Sequence, residues 1–187
     1  MRASMTEEQR LVELAKTDAT AFASLYERYY DPIFNYALRR TGKAEIAQDI
    51  TAETFFKALK SIGNFSWQGI PFSAWLYRIC TNEIAAYYRK GAYRAVSMDD
   101  LISKGFRFAS EYDLEEEIIA AENALERATE LQLYSQAIKH LPQKYQDVIT
   151  LRYFADKKLN EIADILGKPE GTIKSLLHRG IEKLKRI

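Results

Sequence analysis

The feature that most constrains the fold is the C-terminal stretch 159–187, LNEIADILGKPEGTIKSLLHRGIEKLKRI. Leu159, Ile162 and Ile165 have the spacing of one short amphipathic helix. Gly167 can end that helix in the left-handed conformation, and Pro169 suits the first turn of a second helix. The second helix is predicted to bury Ile173, Leu176, Leu177, Ile181 and Leu184. Two helices joined by a short turn with glycine describe a helix-turn-helix.

The second helix of this motif keeps a polar and basic face after its apolar side is buried. That face is predicted to carry Thr172, Lys174, Ser175, His178 and Arg179. A helix of this kind can lie in the major groove of DNA, where its N-terminal residues reach base edges. Arginine can bind guanine in a bidentate way. The alternative, a helical hairpin without a ligand, is left open by the pattern.

Over the whole chain only 8 of 187 residues are Gly and 4 are Pro, and long stretches are rich in Ala, Leu, Glu, Lys and Arg, which favours an all-α fold. Thr6 and Gln9 can form a capping box, and Asp18 can cap a second helix. We expect a separate third helix after Pro32, ending at Gly42. Two further helices are predicted at about 44–61 and 73–90, joined by a loop at 63–72.

Charge divides the chain into three parts. Residues 1–94 carry a net charge of +3, residues 95–128 carry −6 and residues 129–187 carry +4. The acidic middle lacks a sustained helical period over its first half, so it is predicted to be a linker. We therefore predict an N-terminal helical bundle at 1–94, a linker at 95–128 and a C-terminal helix-turn-helix domain at 129–187. Ordinary surface variation would explain the charges equally well.

The predicted helix at 44–61 has an unusual charged stripe. Glu45, Asp49, Glu53 and Lys57 follow one another at i, i+4. The stripe contains two unfavourable pairs and one favourable pair, each worth about 0.2–0.5 kcal/mol, so folding alone does not account for it. It is either a solvated face or a docking surface for a basic partner. Ile46, Ile50 and Leu59 are predicted to form the inward stripe.

The loop at 63–72 and the helix after it mix aromatic, basic and amide side chains. Such a surface suits unpaired nucleic acid, because bases stack on aromatic rings while cations neutralise the phosphates. The alternative is that most of these aromatic residues belong to the core. The candidate residues are Phe65, Trp67, Trp75, Tyr77, Arg78, Asn82, Arg89 and Lys90.

Taken together, these features resemble those of the extracytoplasmic-function sigma factors of bacterial RNA polymerase. The resemblance spans nearly the whole chain and rests on four blocks in the order that the family uses. They are AQDITAETFFKAL at 47–59, FSAWLYRICTNEIAAYYRK at 72–90, HLPQKYQDVITLRYF at 140–154 and LNEIADILGKPEGTIKSLLHRGIEKL at 159–184. Three positions depart from the family pattern: Ala52, Ala86 and Leu176. The promoter sequence therefore cannot be copied from a relative.

The resemblance implies a role for each surface. The residues implied in binding core RNA polymerase are Glu45, Asp49, Glu53, Phe55, Phe56 and Lys57. The loop and the helix after it would bind and open the minus-ten promoter element, with Asn82 contacting a base or the backbone. The helix-turn-helix would bind the minus-thirty-five element. The linker would thread through the polymerase, and an anti-sigma factor is an expected partner.

Composition limits the other classes of function. A single cysteine, Cys80, with only His140 and His178, gives no zinc-ligand cluster, and no cofactor is expected. No apolar run approaches the roughly 20 residues that span a bilayer, so we expect a cytoplasmic protein without membrane insertion. The alternatives are a helix-turn-helix repressor or activator that acts without polymerase, and an enzyme, for which no catalytic cluster is found.

Overall fold

The structure is a computed structural model that describes residues 5–67, 69–92 and 137–186, and these residues contain helices and no strand. The predicted linker at 95–128 lies outside the described residues, as do residues 129–136 of the predicted C-terminal domain. The helices are α1 Glu7–Ala15, α2 Ala19–Thr41, α3 Ala44–Ser61, α4 Phe72–Ala92, α5 Gln143–Tyr153, α6 Leu159–Leu166 and α7 Glu170–Leu184. A short 3₁₀ turn, Ile62–Asn64, follows α3. No helix in the described ranges is both long and apolar enough to cross a membrane.

The ends of the first helices follow local chemistry. Thr6 and Gln9 form the predicted capping box, in which each side chain bonds the other residue's backbone amide. The Asp18 carboxylate accepts from the Thr20 amide at 2.8 Å and caps α2. Gly42, at φ 71°, ends α2 in the left-handed conformation. These three predictions are confirmed.

Pro32 does not separate two helices, and the prediction of a third helix beginning after it was wrong. A single helix, α2, runs from Ala19 to Thr41 with the proline inside. A proline removes one helical hydrogen bond and costs about 3 kcal/mol. Leu25, Ile33 and Tyr36, all at most 2% exposed, pack on both sides of this position. We infer that their burial outweighs the lost bond and keeps the helix continuous.

The N-terminal domain is a bundle in which α2 packs against α1, α3 and α4, and α3 packs against α4. Its interior is mostly apolar. The side chains with at most 1% exposure include Val12, Leu25, Ile33, Ala47, Ala58, Phe72, Leu76, Cys80 and Ile84. This core fixes one outward face of α3 and one of α4.

The C-terminal domain is a small bundle of α5, α6 and α7. Val148, Leu151, Ile162 and Ile173 have no exposed surface. Gly180 allows α7 to approach α5, because a Cβ atom at this position would lie 2.9 Å from Ile149 Cδ1. The close crossing sets the direction in which α7 leaves the domain.

Gly180→Val is therefore expected to lower the free energy of unfolding by about 1–3 kcal/mol, the usual cost of overpacking a filled site. Gly171→Val is the matched control, because nothing lies within 4 Å of a Cβ atom at Gly171 in the same helix. Thermal unfolding followed by circular dichroism measures both. Equal melting temperatures for the two variants would show that the α5–α7 contact tolerates a side chain.

The two domains pack against each other in the structure. Helix α6 lies against α4, and α5 lies against α2. The N-terminal bundle and the helix-turn-helix are therefore joined by an interface in addition to the covalent chain.

Candidate nucleic-acid and protein interfaces

The last two helices form the predicted helix-turn-helix. Helix α6 ends at Gly167, which has φ 61°, and the Lys168 amide donates to the Ala163 carbonyl at 3.0 Å. The Glu161 carboxylate accepts from the Lys158 amide at 2.8 Å and closes the start of α6. Helix α7 begins three residues after Gly167. These caps define both ends of α6, and the turn to α7 follows directly after Gly167.

The outer face of α7 matches its prediction. Five side chains share this exposed face: Thr172, Lys174, Ser175, His178 and Arg179. Ile173 has no exposed surface and anchors the opposite side. Lys174 Nζ lies 2.8 Å from Glu170 Oε1, but both side chains are well exposed, so the pair can open to admit a phosphate or a base.

Helix α3 presents the charged stripe to solvent. Glu45, Asp49 and Glu53 are exposed. Lys57 Nζ lies 3.4 Å from Glu53 Oε1 and 2.7 Å from Glu83 Oε1 on α4. The hydrogen bond to Glu83 is the main cause that raises the pKa of Lys57. Glu83 therefore draws this cation toward α4, and the Asp49 end of the stripe stays acidic.

Apolar side chains border the stripe. Phe56 is 50% exposed and Leu59 is 49% exposed, and Lys60 Nζ lies 4.2 Å from the centre of the Phe56 ring. The prediction that Leu59 faces inward was wrong, because Ala58 occupies the buried position of that turn. Phe55 is only 4% exposed and packs edge-on against Tyr26. Phe55 therefore supports the helix from inside, and Phe56 is the aromatic ring that a partner can reach.

The aromatic residues of the loop and of early α4 form one cluster. The centre of the Phe65 ring lies 5.5 Å from that of Phe72, 5.0 Å from that of Trp75 and 5.6 Å from that of Trp67. Phe65 is 8% exposed, so it belongs to the core, whereas Trp67 and Trp75 are half-buried at its edge. The Trp67 indole nitrogen is buried without a hydrogen-bond partner among the described residues. The four rings of Phe65, Trp67, Phe72 and Trp75 together form an aromatic ledge at the beginning of α4.

Farther along α4, four of the predicted residues are exposed: Arg78, Asn82, Arg89 and Lys90. Tyr77 is not one of them. It is 4% exposed, and its ring lies edge-on to Tyr36 with Lys157 Nζ 4.9 Å from its centre. Burial is the main cause that raises the pKa of Tyr77 to about 12. In this arrangement Tyr77 is a packing residue beneath the C-terminal domain.

Sequence reasoning missed an ion pair between the domains. Arg40 on α2 is 1% exposed, and its Nη2 donates to Asp147 Oδ1 on α5 at 2.5 Å. Its Nη1 donates to Gln146 Oε1. One signal was available, because Arg40 continues the helical spacing of buried Ile33 and Tyr36, a position where a cation needs a buried partner.

Comparison with known proteins supplies the family. Residues 25–94 match the family model for Sigma-70 region 2, and residues 131–184 match that for Sigma-70 region 4. Among solved structures, the fold is similar to that of CnrH, which was solved in complex with the cytosolic domain of CnrY. The two chains superpose with a TM-score of 0.67 and are 22% identical in sequence, and the match covers 96% of this chain and 95% of CnrH. The fold is also similar to that of RpoE of Bartonella quintana, which was solved with the anti-sigma factor NepR. The TM-score is 0.66 and the sequence identity 21%, and the match covers 88% of this chain and 94% of RpoE.

Two curated relatives are more similar in sequence. The ECF RNA polymerase sigma factor BldN of Streptomyces coelicolor is 34% identical over 95% of this chain, which spans 64% of the length of BldN. The ECF RNA polymerase sigma factor SigW of Bacillus subtilis is 32% identical, with coverage of 95% of this chain and 94% of SigW. With both sigma regions matched in order and nearly all of SigW covered, the chain belongs to the extracytoplasmic-function sigma factors, the alternative sigma factors that act with RNA polymerase in transcription initiation.

Proposed function

We propose that the outer face of α3 is the surface that binds core RNA polymerase. The observation that carries this proposal is the combination of exposed carboxylates at Asp49 and Glu53 with the exposed ring of Phe56 beside them. Folding does not require like charges one turn apart, nor a half-exposed phenylalanine next to them. A basic partner with an apolar patch would satisfy both features at once.

We propose that α4 and the aromatic loop bind the minus-ten element. Arg78, Arg89 and Lys90 give cations along one helix, and the half-buried Trp67 and Trp75 rings lie at its beginning. A flipped base loses a few kcal/mol of stacking and pairing. Stacking on an aromatic ring returns about 1–3 kcal/mol. The aromatic ledge therefore suits a DNA strand that has already been separated from its complement.

We propose that α7 binds the minus-thirty-five element in the major groove. Its five polar residues share one exposed face near the N-terminal half of the helix, the half that reaches base edges in helix-turn-helix proteins. The three assignments follow the domain division predicted from the sequence, with residues 1–94 and 129–187 as the two binding units. Polymerase carries the chemistry, and this chain supplies recognition without catalysis of its own.

The proposed setting follows from these partners. Polymerase and promoter DNA place the chain in the cytoplasm. An anti-sigma protein is the third proposed partner. It would bury the exposed apolar side chains of Phe56 and Leu59 when polymerase is absent. CnrH and RpoE were solved with protein partners of their own.

Asn82→Ala is expected to reduce strand opening by about 2- to 10-fold, the effect of losing one hydrogen bond worth about 0.5–1.5 kcal/mol. Asn82 is exposed on α4, one turn beyond Arg78, and is placed to contact a separated base. Permanganate reactivity of unpaired thymines measures opening, and a gel shift measures the initial closed complex, which should be unchanged. Asn35→Ala, at an exposed asparagine of α2, is the matched control. A normal permanganate pattern with Asn82→Ala would remove this residue from the opening step.

Co-elution tests the polymerase assignment. The purified chain is mixed with core RNA polymerase that lacks its own specificity subunit and is then passed over a size-exclusion column. We expect a stoichiometric complex, and separate peaks at micromolar concentrations would refute the proposed function of α3.

A further inference from the structure

A cleft lies between α3 and α4, next to the exposed stripe that we assign to polymerase. Its volume is about 190 Å³. Ile50 of α3 and Ala86 and Tyr87 of α4 give the cleft an apolar lining. Ile50 is buried, and the other two residues are half-buried. Such a lining favours a partner group that brings apolar surface of its own, because both surfaces then leave water.

The rest of the cleft lining is charged, and most of it is acidic. Asp49 and Glu53 come from α3, whereas Glu83 and Lys90 come from α4. Lys57 pairs with Glu53 and Glu83, so three carboxylates and two lysines leave one net negative charge at this surface. Asp49 has no ion-pair partner among the described residues. The acidic surface therefore extends from α3 onto α4 and favours a cationic group.

Lys57 is the cation that this chain itself places on these carboxylates. Its Nζ lies 2.7 Å from Glu83 Oε1 and 3.4 Å from Glu53 Oε1, so one ammonium group joins the two helices beside the cleft. The Lys57 side chain is 45% exposed. Ion pairs with that exposure contribute little to stability, so they can be exchanged for others at small cost. The carboxylates bind a cation in the free chain and stay within reach of another one.

We propose that the cleft receives one long basic side chain of core RNA polymerase, and that Lys57 competes with that side chain for Glu53 and Glu83. The stem of an arginine or a lysine would cover the apolar lining while its cation meets the carboxylates. The inference rests on the proposed function of α3 and adds two roles to it. Glu83 becomes a polymerase contact on a second helix, and Lys57 becomes a residue that weakens the complex.

A purely structural role of Lys57 leads to a different expectation. Its ion pairs would then only hold α3 against α4, and their loss would leave the affinity for polymerase unchanged or lower it. Competition means that loss of Lys57 raises this affinity, because Glu53 and Glu83 become available to the partner. The same loss destabilises the free chain, because the two carboxylates are left without their shared cation. Stability and affinity therefore change in opposite directions.

Lys57→Met tests the competition, and Lys43→Met is the matched control. Both changes remove one cation from an exposed position, and Lys43 directly precedes the first residue of α3. The Lys43 side chain makes no capping hydrogen bond to the helix. Titration of the dye-labelled full chain with core polymerase, followed by fluorescence anisotropy, gives the affinity. Thermal unfolding followed by circular dichroism gives the stability of each variant.

We expect Lys57→Met to bind core polymerase about 3- to 10-fold more tightly than Lys43→Met, the change expected when two exposed ion pairs are released. It should also melt at a lower temperature than the unaltered chain. Glu83→Gln should bind about 3- to 10-fold more weakly than Glu27→Gln, which removes the same charge from an exposed position of α2. When Glu83→Gln is already present, Lys57→Met should give a smaller gain, because one of its two partners is gone. Lys57→Gln serves if Lys57→Met loses its helical signal.

Binding of Lys57→Met that is equal to or weaker than that of Lys43→Met would overturn the competition. Equal affinities of Glu83→Gln and Glu27→Gln would overturn the part that we assign to α4. Failure of the proposed function is distinguishable from both outcomes. In that case Asp49→Lys/Glu53→Lys would bind core polymerase as tightly as the unaltered chain does, or the unaltered chain would not bind it at all.

Discussion

Asp49→Lys combined with Glu53→Lys is expected to weaken binding of the chain to core RNA polymerase by about 100-fold or more. Both carboxylates are exposed on α3, and lysines there would face the basic partner that the surface implies. Opposing like charges at an interface cost on the order of several kcal/mol. Each tenfold loss of affinity corresponds to about 1.4 kcal/mol. Titration of dye-labelled chain with core polymerase, followed by fluorescence anisotropy, measures the affinity.

The control for this double variant is Glu13→Lys with Glu27→Lys. These residues are exposed on α1 and α2, and the change in net charge is the same. Circular dichroism should show the same helical signal for both double variants, because all four positions lie on the surface. An affinity loss shared by both would indicate a general charge effect, and no loss in Asp49→Lys/Glu53→Lys would contradict the assigned surface.

Lys174→Ala with Arg179→Ala is expected to remove the upstream part of the promoter footprint and to weaken holoenzyme binding by about 10- to 100-fold. Both side chains belong to the exposed face of α7. A bidentate contact to a base is worth about 1–3 kcal/mol, and a phosphate contact adds a salt-dependent contribution. Footprinting with hydroxyl radicals on a promoter found by run-off transcription gives both the position and the extent of protection.

Arg10→Ala with Lys43→Ala removes the same two kinds of cation from exposed positions of the N-terminal domain. This control should leave the upstream footprint intact. If Lys174→Ala/Arg179→Ala gives a footprint identical to that of the control, α7 does not lie in the groove.

The helix ends are the features that the sequence predicted well. The capping box at Thr6, the Asp18 cap and the glycine ends at Gly42 and Gly167 all depend on groups within four residues of each other. The exposed face of α7 was also predicted correctly, because a short amphipathic helix on a small core has only one buried side.

Residues whose environment depends on distant packing were predicted less well. The predicted helix break at Pro32 was wrong, because local rules do not include the burial of Leu25 and Ile33 around it. The prediction that Leu59 lies on the inward stripe with Ile46 and Ile50 was wrong, because the buried position belongs to Ala58. Tyr77 is one of the predicted DNA-facing residues, yet its ring lies under Lys157, which is 80 residues away in the chain.

The interface between the domains was beyond sequence reasoning. Arg40 and Asp147 are 107 residues apart, and neither lies in an unusual local pattern of charge. The helical spacing of Arg40 from the buried residues Ile33 and Tyr36 indicates only that a buried anion must pair with it. Tertiary structure identifies that anion, and it also brings Asp164 beside Arg78 at the aromatic ledge.

The most direct test of the whole account is run-off transcription from genomic DNA fragments with core RNA polymerase, in the presence and absence of this chain. We predict discrete transcripts that appear only when the chain is added and that disappear with Asp49→Lys/Glu53→Lys. An identical transcript pattern with and without the chain, under conditions in which another sigma factor does start transcription, would contradict it.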